Sequence, residues 1–316
     1  MTDEISSLKI EAFRGLKNLP VIDFNRINII ASPANFGKTS LLQAVITAMN
    51  CDNGEQILYV ANLFKRTKCR DFDEFKSLLY RNENIVGYDI SATFGDVEMT
   101  KKLSGVFLKG ENRFIGDYSA NIRCKSQNIY TDVHKNLDFN RDSNGEYYNS
   151  HICFPPIAYF DFEITNVCEM TSLKNKNISS YIESYLLHFD SDITKVFIKN
   201  RKFYIRHLKF GDIPADILGS ALNKCMEFAN FCDKNQGKIL FVENADCVCV
   251  EDSYRFFADF LIAVALEMKC RIFITTRSRI LGSRLLDAAK ADNAGRLVKL
   301  INLYREEDKI SVKFEI

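Results

Sequence analysis

Residues 7–13 alternate apolar and polar positions, with Leu8, Ile10 and Ala12 on one face, which is the period of a half-buried strand. Arg14-Gly15-Leu16 turns the chain toward a second short strand near 21–24, and the apolar run 27–31 predicts a third, buried one. A helix follows to about residue 50, and beyond the polar break Asp52-Asn53-Gly54 another is expected over 72–80. Residues 88–94 and 97–107 read as strands joined by Gly95-Asp96. From 110 to 150 the chain is polar and short of apolar runs, so strand edges and loops of a surface lobe are expected, inserted between two halves of one core. A buried strand returns at 156–162, helical spacing at 178–188 and hairpin-like alternation over 196–208. Pro214 stands where a helix reaching Phe231 would start, and the apolar run after Gly237 predicts a buried parallel strand to Val242. A helix over 254–268, a buried strand over 271–276 and a closing pair over 297–304 and 309–314 complete the pattern. Strands alternating with helices in this way predict an α/β sandwich with a largely parallel sheet.

Composition narrows this little. A chain of 316 residues that is 47% hydrophobic has room for one large or two ordinary domains with an ample core. Its 42 basic and 41 acidic residues nearly cancel, so bulk attraction to nucleic acid or to a membrane surface is not indicated, and any such binding is local. The ten cysteines follow no framework and read as reduced, mostly buried thiols. Cys247-x-Cys249 lacks a second pair or a nearby histidine and is weak as a zinc site. The start of the chain has no leader pattern and no segment approaches the length of an apolar membrane span, so a soluble, cytoplasmic protein is expected.

The chemistry concentrates in residues 27–49, which read as strand, tight loop and helix. Gly37-Lys38-Thr39 supplies what a phosphate-binding loop needs: backbone N–H groups at a helix N-terminus, an ammonium for the outer phosphates and a hydroxyl for Mg²⁺. The cradle would comprise Ser32, Asn35, Phe36, Gly37, Lys38, Thr39 and Ser40, with Ser32 where the pattern G-x-x-x-x-G-K-[ST] has its first glycine. An ordinary strand-to-helix turn carrying a lysine is the bland alternative. A second local signal lies at 199–210, where Lys199, Arg201, Lys202, Arg206 and Lys209 interleave with Phe203, Tyr204 and Phe210. Such a stretch binds a nucleic-acid strand or is simply a solvated strand face, and the sequence leaves both open.

On Ile10-Glu11-Ala12-Phe13-Arg14-Gly15-Leu16, the segments 27–42, 217–222 and 239–246, and Phe273-Ile274-Thr275-Thr276-Arg277-Ser278, the chain resembles ABC-type ATPases of the SMC and RecF group. Within that group it is most similar to the ATPase domain of the OLD (overcoming lysogenization defect) family and its stand-alone bacterial relatives. The resemblance implies a single ABC-type P-loop ATPase domain over 1–316, with N-terminal antiparallel strands, a β-rich lobe inserted at about 85–155 and a helical signature lobe at about 165–235. No room is left for the C-terminal nuclease domain that OLD proteins often carry. It further implies ATP and Mg²⁺ as cofactors, with Thr39 and Glu243 as metal ligands. Glu243, Asn244 and Arg277 take the catalytic positions, and Gly219 and Ser220 the signature loop that caps a nucleotide bound on an opposite subunit.

At those positions this sequence departs from the family. Ser32, Ala221, Glu243, Asn244 and Arg277 replace a glycine, a glycine, the aspartate–glutamate pair and a histidine. Asn244 can orient a water but cannot take its proton, and Arg277 cannot lose its own. The family's glutamine-bearing loop is not placed. The parts that hold nucleotide are kept and the parts that split it are altered, so the expectation is an ATP-binding switch with slow or absent hydrolysis. It would form a homo- or hetero-oligomer through the nucleotide and serve a separate effector, by kinship in an anti-phage system, without a membrane partner. An active ATPase using Glu243, Asp246 and Arg277, and a DNA- or RNA-binding subunit, stay open as alternatives.

Overall fold

The computed structural model describes residues 5–49, 80–82, 85–108, 113–140, 157–163, 180, 182–184, 186–187, 190–200, 202–215, 220–247, 254–291, 293–306 and 309–315. In chain order the strands are β1 (Ile5–Phe13), β2 (Leu16–Asp23), β3 (Ile27–Ala31), β4 (Tyr80–Asn82), β5 (Ile85–Phe94), β6 (Val97–Leu108), β7 (Arg113–Cys124) and β8 (Ile129–Asn140). They continue with β9 (Ile157–Asp161), β10 (Ile193–Lys199), β11 (Lys202–His207), β12 (Gly211–Pro214), β13 (Ile239–Glu243), β14 (Arg271–Thr276), β15 (Val298–Glu306) and β16 (Lys309–Glu315). The helices are α1 (Lys38–Met49), α2 (Ser220–Lys234), α3 (Tyr254–Glu267) and α4 (Arg279–Ala291), besides helical residues between 180 and 187. The fold is mixed α/β, and the chain divides into two compact units, 1–24, 35–155 and 303–313 against 25–34, 156–302 and 314–316.

The first unit is built on an antiparallel sheet ordered β2-β1-β5-β6-β7-β8, with β4 added on β5. Helix α1 lies against β1, β5 and β6. It is apolar nearly all round, and Leu41, Leu42, Ala44, Val45, Ile46 and Ala48 are buried, as expected of a helix with no solvent face. Lys101 on β6 is also buried, and its ammonium donates to the Thr47 carbonyl of α1 at 3.2 Å.

Two expectations change here. The second strand starts at Leu16, not near residue 21, because β2 is an edge strand and tolerates Pro20 within it. Residues expected as loops between 110 and 150 instead include two twelve-residue strands, β7 and β8, in unbroken register from Arg113↔Asn140 to Cys124↔Ile129. The apolar pattern is weak because this part of the sheet is thinly covered: Tyr118 and Ala120 are buried, while Val106 and Ile115, directly paired, stand exposed. The ladder of backbone hydrogen bonds carries these strands. Of the helix expected over 72–80, residues 72–79 lie outside the described residues, and Tyr80 opens a strand.

A six-stranded sheet is ordered β16-β15-β3-β14-β13-β9, and the second unit centres on its parallel strands β3, β14, β13 and β9 with the start of β15. Strands β3, β13 and β14 are buried at every position, the reason they read as continuous apolar runs. Helices α2, α3 and α4 supply core residues including Phe228, Phe257, Leu261 and Leu285. A separate three-stranded sheet, β10-β11-β12, packs Val196, Phe203 and Ile205 into the same core. Pro214 pairs with Tyr204 at the end of the edge strand β12 and does not begin the next helix, which starts at Ser220. Helix α4 is an addition to the sequence expectation; Ser278 caps it, its hydroxyl accepting the Leu281 N–H at 3.1 Å.

Candidate functional site

Two groups of residues singled out by the sequence occupy, respectively, the first and the second unit. In the first unit the chain passes Asn35 and Gly37, both left-handed at φ 64° and 83°, and enters α1 at Lys38. Gly37 is favoured by its backbone angle, and an added Cβ would press only on the tips of flexible side chains, 2.8 Å from Leu16 Cδ2 and 3.2 Å from Ile310 Cδ1. The first helical hydrogen bond runs from Leu41 N–H to the Gly37 carbonyl at 2.8 Å. Lys38 is buried, with 9% of its surface exposed, whereas Asn35 is exposed and Phe36, Thr39 and Ser40 are half-buried. The Phe36 ring carries the Arg305 guanidinium 5.8 Å from its centroid, and Arg14 bonds to Gln43 of α1.

In the second unit, neighbouring parallel strands end side by side in the order β3, β14, β13, β9. Ligands of open α/β sheets bind beyond such carboxyl ends. After β3 comes the fully buried Ser32, whose N–H donates to the Thr276 carbonyl at 3.2 Å. Ser32 is not among the left-handed residues, so the loop does not need a glycine at this position.

Glu243 ends β13, is buried, and accepts the Tyr159 hydroxyl at 2.8 Å. Beside it, in register, Asp161 ends β9 with 3% exposure. Asp161 Oδ1 accepts the Glu163 N–H at 2.8 Å and the Asn244 side-chain amide at 2.9 Å. Asn244 is left-handed at φ 61°, and its N–H donates to the Thr275 hydroxyl at 3.2 Å.

Past β14, Arg277 is engaged on two sides. Its backbone N–H and Nε donate to the Asp246 carboxylate at 2.8 and 2.9 Å, and Nη2 bonds to Glu163. Burial pushes Asp246 up, but the Arg277 N–H and guanidinium outweigh it and hold the carboxyl below the usual carboxylate range. The hydrogen bond to Asp246 raises Arg277 in turn. Cys247 lies 3.5 Å from Arg277 Nη2, and burial pushes its thiol up, away from reactivity.

Of the signature segment, Gly219 lies outside the described residues and Ser220 opens α2. Cys249 is likewise outside them. Asp161 escaped the sequence reading, although its signal was present: a charged residue closing a short buried strand. A further triad, Asp190, Asp192 and His207, brings ligand-type atoms within 4.8 Å of one another. These groups are already engaged: Lys209 pairs with Asp192, and His207 Nδ1 accepts the Lys209 N–H at 3.1 Å, leaving Nε2 to donate to Asp190 at 3.1 Å.

No family model matches the sequence, and no curated protein does. Among solved structures, the chain is similar to the SMC head domain from Thermotoga maritima, at 13% identity and a TM-score of 0.48 over 99% of each chain. It is also similar to the recombination mediator protein RecF of the RecFOR pathway. The RecF-ATPrS structure matches at 8% identity and TM-score 0.37 over 99% of this chain and 98% of that one, and the RecF-ATP structure at 10% and 0.37 over 99% of each. Likeness of this degree carries no statement about ligand or reaction.

Proposed function

We propose that this chain is an ATP-binding switch of the ABC type that hydrolyses its nucleotide slowly or not at all. One observation carries the reading: a loop with left-handed Asn35 and Gly37 delivers Lys38 and Thr39 to the N-terminus of a buried helix. Such a turn aims successive N–H groups and the positive helix end at anionic oxygens, while Lys38 and Thr39 are offered to the outer phosphates and to Mg²⁺.

The groups that would split the nucleotide are poorly suited to it. Asn244 has no proton-accepting side chain and its amide is engaged by Asp161. Asp246 and Arg277, which could share the lost roles, are bound to each other. ATP held between two subunits, each contributing a segment such as the α2 start at Ser220, would stabilise the assembled state for as long as the nucleotide survives. A separate effector, as in OLD-like anti-phage systems, would read that state.

Purified protein should retain ATP in the presence of Mg²⁺, detected by mass spectrometry of the released nucleotide, and Lys38→Ala should abolish it. Phosphate release should stay below about 0.1 s⁻¹, two or more decades under the usual enzymatic range of about 10 s⁻¹. Turnover in that usual range, lost in Lys38→Ala, would refute slow hydrolysis. Absence of any nucleotide affinity would refute the whole reading.

A further inference from the structure

The outer face of the small sheet β10-β11-β12 repeats a pattern that core packing does not explain. Its inner face, Val196, Phe203, Ile205 and His207, is buried. On the outer face, cross-strand partners share one side of the ladder and form three successive rungs: Lys195↔Arg206, Phe197↔Tyr204 and Lys199↔Lys202. A pair of aromatic rings is thus flanked on both sides by a pair of cations, with rungs about 6.6–6.8 Å apart. The rings stack, with centroids 5.8 Å apart and planes inclined by 24°, and both are half-exposed. Arg206 lies 5.6 Å from the Phe197 centroid and Lys199 5.8 Å from that of Tyr204, so the cations lean diagonally over the stack.

Like charges directly opposite each other destabilise a ladder, and here two such rungs occur within one hairpin. One carboxylate, Asp212, answers Arg206 at 2.7 and 3.1 Å. Lys195, Lys199 and Lys202 are exposed, and of the three only Lys199 is felt by Asp212, whose carboxyl Arg206 chiefly and Lys199 in addition hold below the usual carboxylate range. The face therefore carries a surplus of three positive charges around an aromatic step, in a chain whose total charge is only +1.

We infer that this face binds single-stranded nucleic acid: a base stacks on the Phe197–Tyr204 step and the phosphates on either side lie against the two cation rungs. Base faces are offered by a single strand and are hidden in a duplex, while the lysine surplus matches a phosphate backbone of either sugar. An acidic protein segment would use the cations but would have no use for the stacked rings. The inference stands apart from the nucleotide reading and requires nothing of Lys38.

The test is fluorescence anisotropy of the full chain with labelled oligo(dT) and oligo(U) of about 16 nucleotides, over a salt series. Phe197→Ala and Tyr204→Ala should each weaken binding about tenfold, the effect of losing one stacked base. Lys199→Gln with Lys202→Gln, which relieves one like-charge rung on the exposed surface, should not lower the melting temperature and should flatten the slope of log affinity against log salt by about 1.4. This pair keeps the test decisive if an aromatic variant fails to fold. Three results would overturn the inference: no binding at low salt, equal binding of a duplex with no effect of the aromatic variants, or an oligoglutamate peptide bound as tightly as the single strands.

Discussion

Asn244 illustrates how much a single backbone angle decides. At φ 61° an L-residue is disfavoured by about 1–2 kcal/mol unless it is glycine or has a short polar side chain such as asparagine. A glutamate at this position would bear that strain and would place a second carboxylate beside Asp161, which now accepts the Asn244 amide at 2.9 Å. Asn244→Ala should therefore be destabilising by about 2 kcal/mol and Asn244→Gly by about 1 kcal/mol less, since both lose the amide bond and only alanine keeps the strain. Urea melts of the two variants would check this. Arg277 offers a pH test. Asp246 titrates below its unfolded value, so its ion pair stabilises the protein above the unfolded carboxyl pKa of about 3.9, and the gain fades as pH falls through the lower folded value. Arg277→Gln should lose stability at neutral pH, by at most about 1 kcal/mol because the arginine is 44% exposed and screened. The gap to the wild type should close in acid, which paired melts at neutral pH and below pH about 3 would show. The residue types at these strand ends were legible in the sequence. Their mutual engagement was not, because Asp161, Glu163, Glu243, Asp246 and Arg277 meet only through strand pairing.

At the scale of elements, legibility followed burial. Strands β3, β13 and β14, covered on both faces, announce themselves as apolar runs. Strands β7 and β8, half bare, carry no such signal. Pro214 misled because the same ring that suits a helix start also suits an edge strand. Helix α4 had a signal in Ser278 ahead of Leu281, Leu285 and Leu286. Two glycines separate tight element packing from loose. A Cβ on Gly87 of β5 would lie 1.9 Å from the Leu103 carbonyl oxygen of β6, a backbone atom that cannot yield without parting the strands. On Gly282 of α4 it would meet the Leu300 side-chain tip at 2.8 Å and Ala31 Cβ at 3.2 Å, of which the leucine can turn aside. Gly87→Ala should cost more than about 2 kcal/mol, whereas Gly282→Ala should stay within about 1 kcal/mol because its helix propensity offsets the crowding. Thermal melts of both rank them directly.

For the whole molecule the decisive fact is that neither unit is a continuous stretch of chain. The second takes most of its residues from 156–302, yet its sheet contains β3, contributed by residues 25–34, between β14 and β15. Ile27, Ile29 and Ile30 of that strand are each at most 1% exposed. Burying three such side chains is worth roughly 5–9 kcal/mol, comparable with the entire net stability of about 5–15 kcal/mol that a domain has. Without β3, the facing edges of β14 and β15 would also lose the backbone partners given by the registers Thr276↔Ala31 and Asn302↔Ala31. A fragment of residues 156–302 should thus lack a cooperative urea transition by circular dichroism. The same fragment with residues 25–34 fused through a flexible linker should regain one, since each doubling of loop length adds only about 0.6 kcal/mol of closure entropy. Cooperative unfolding of the bare fragment would show that β3 is dispensable to the sheet.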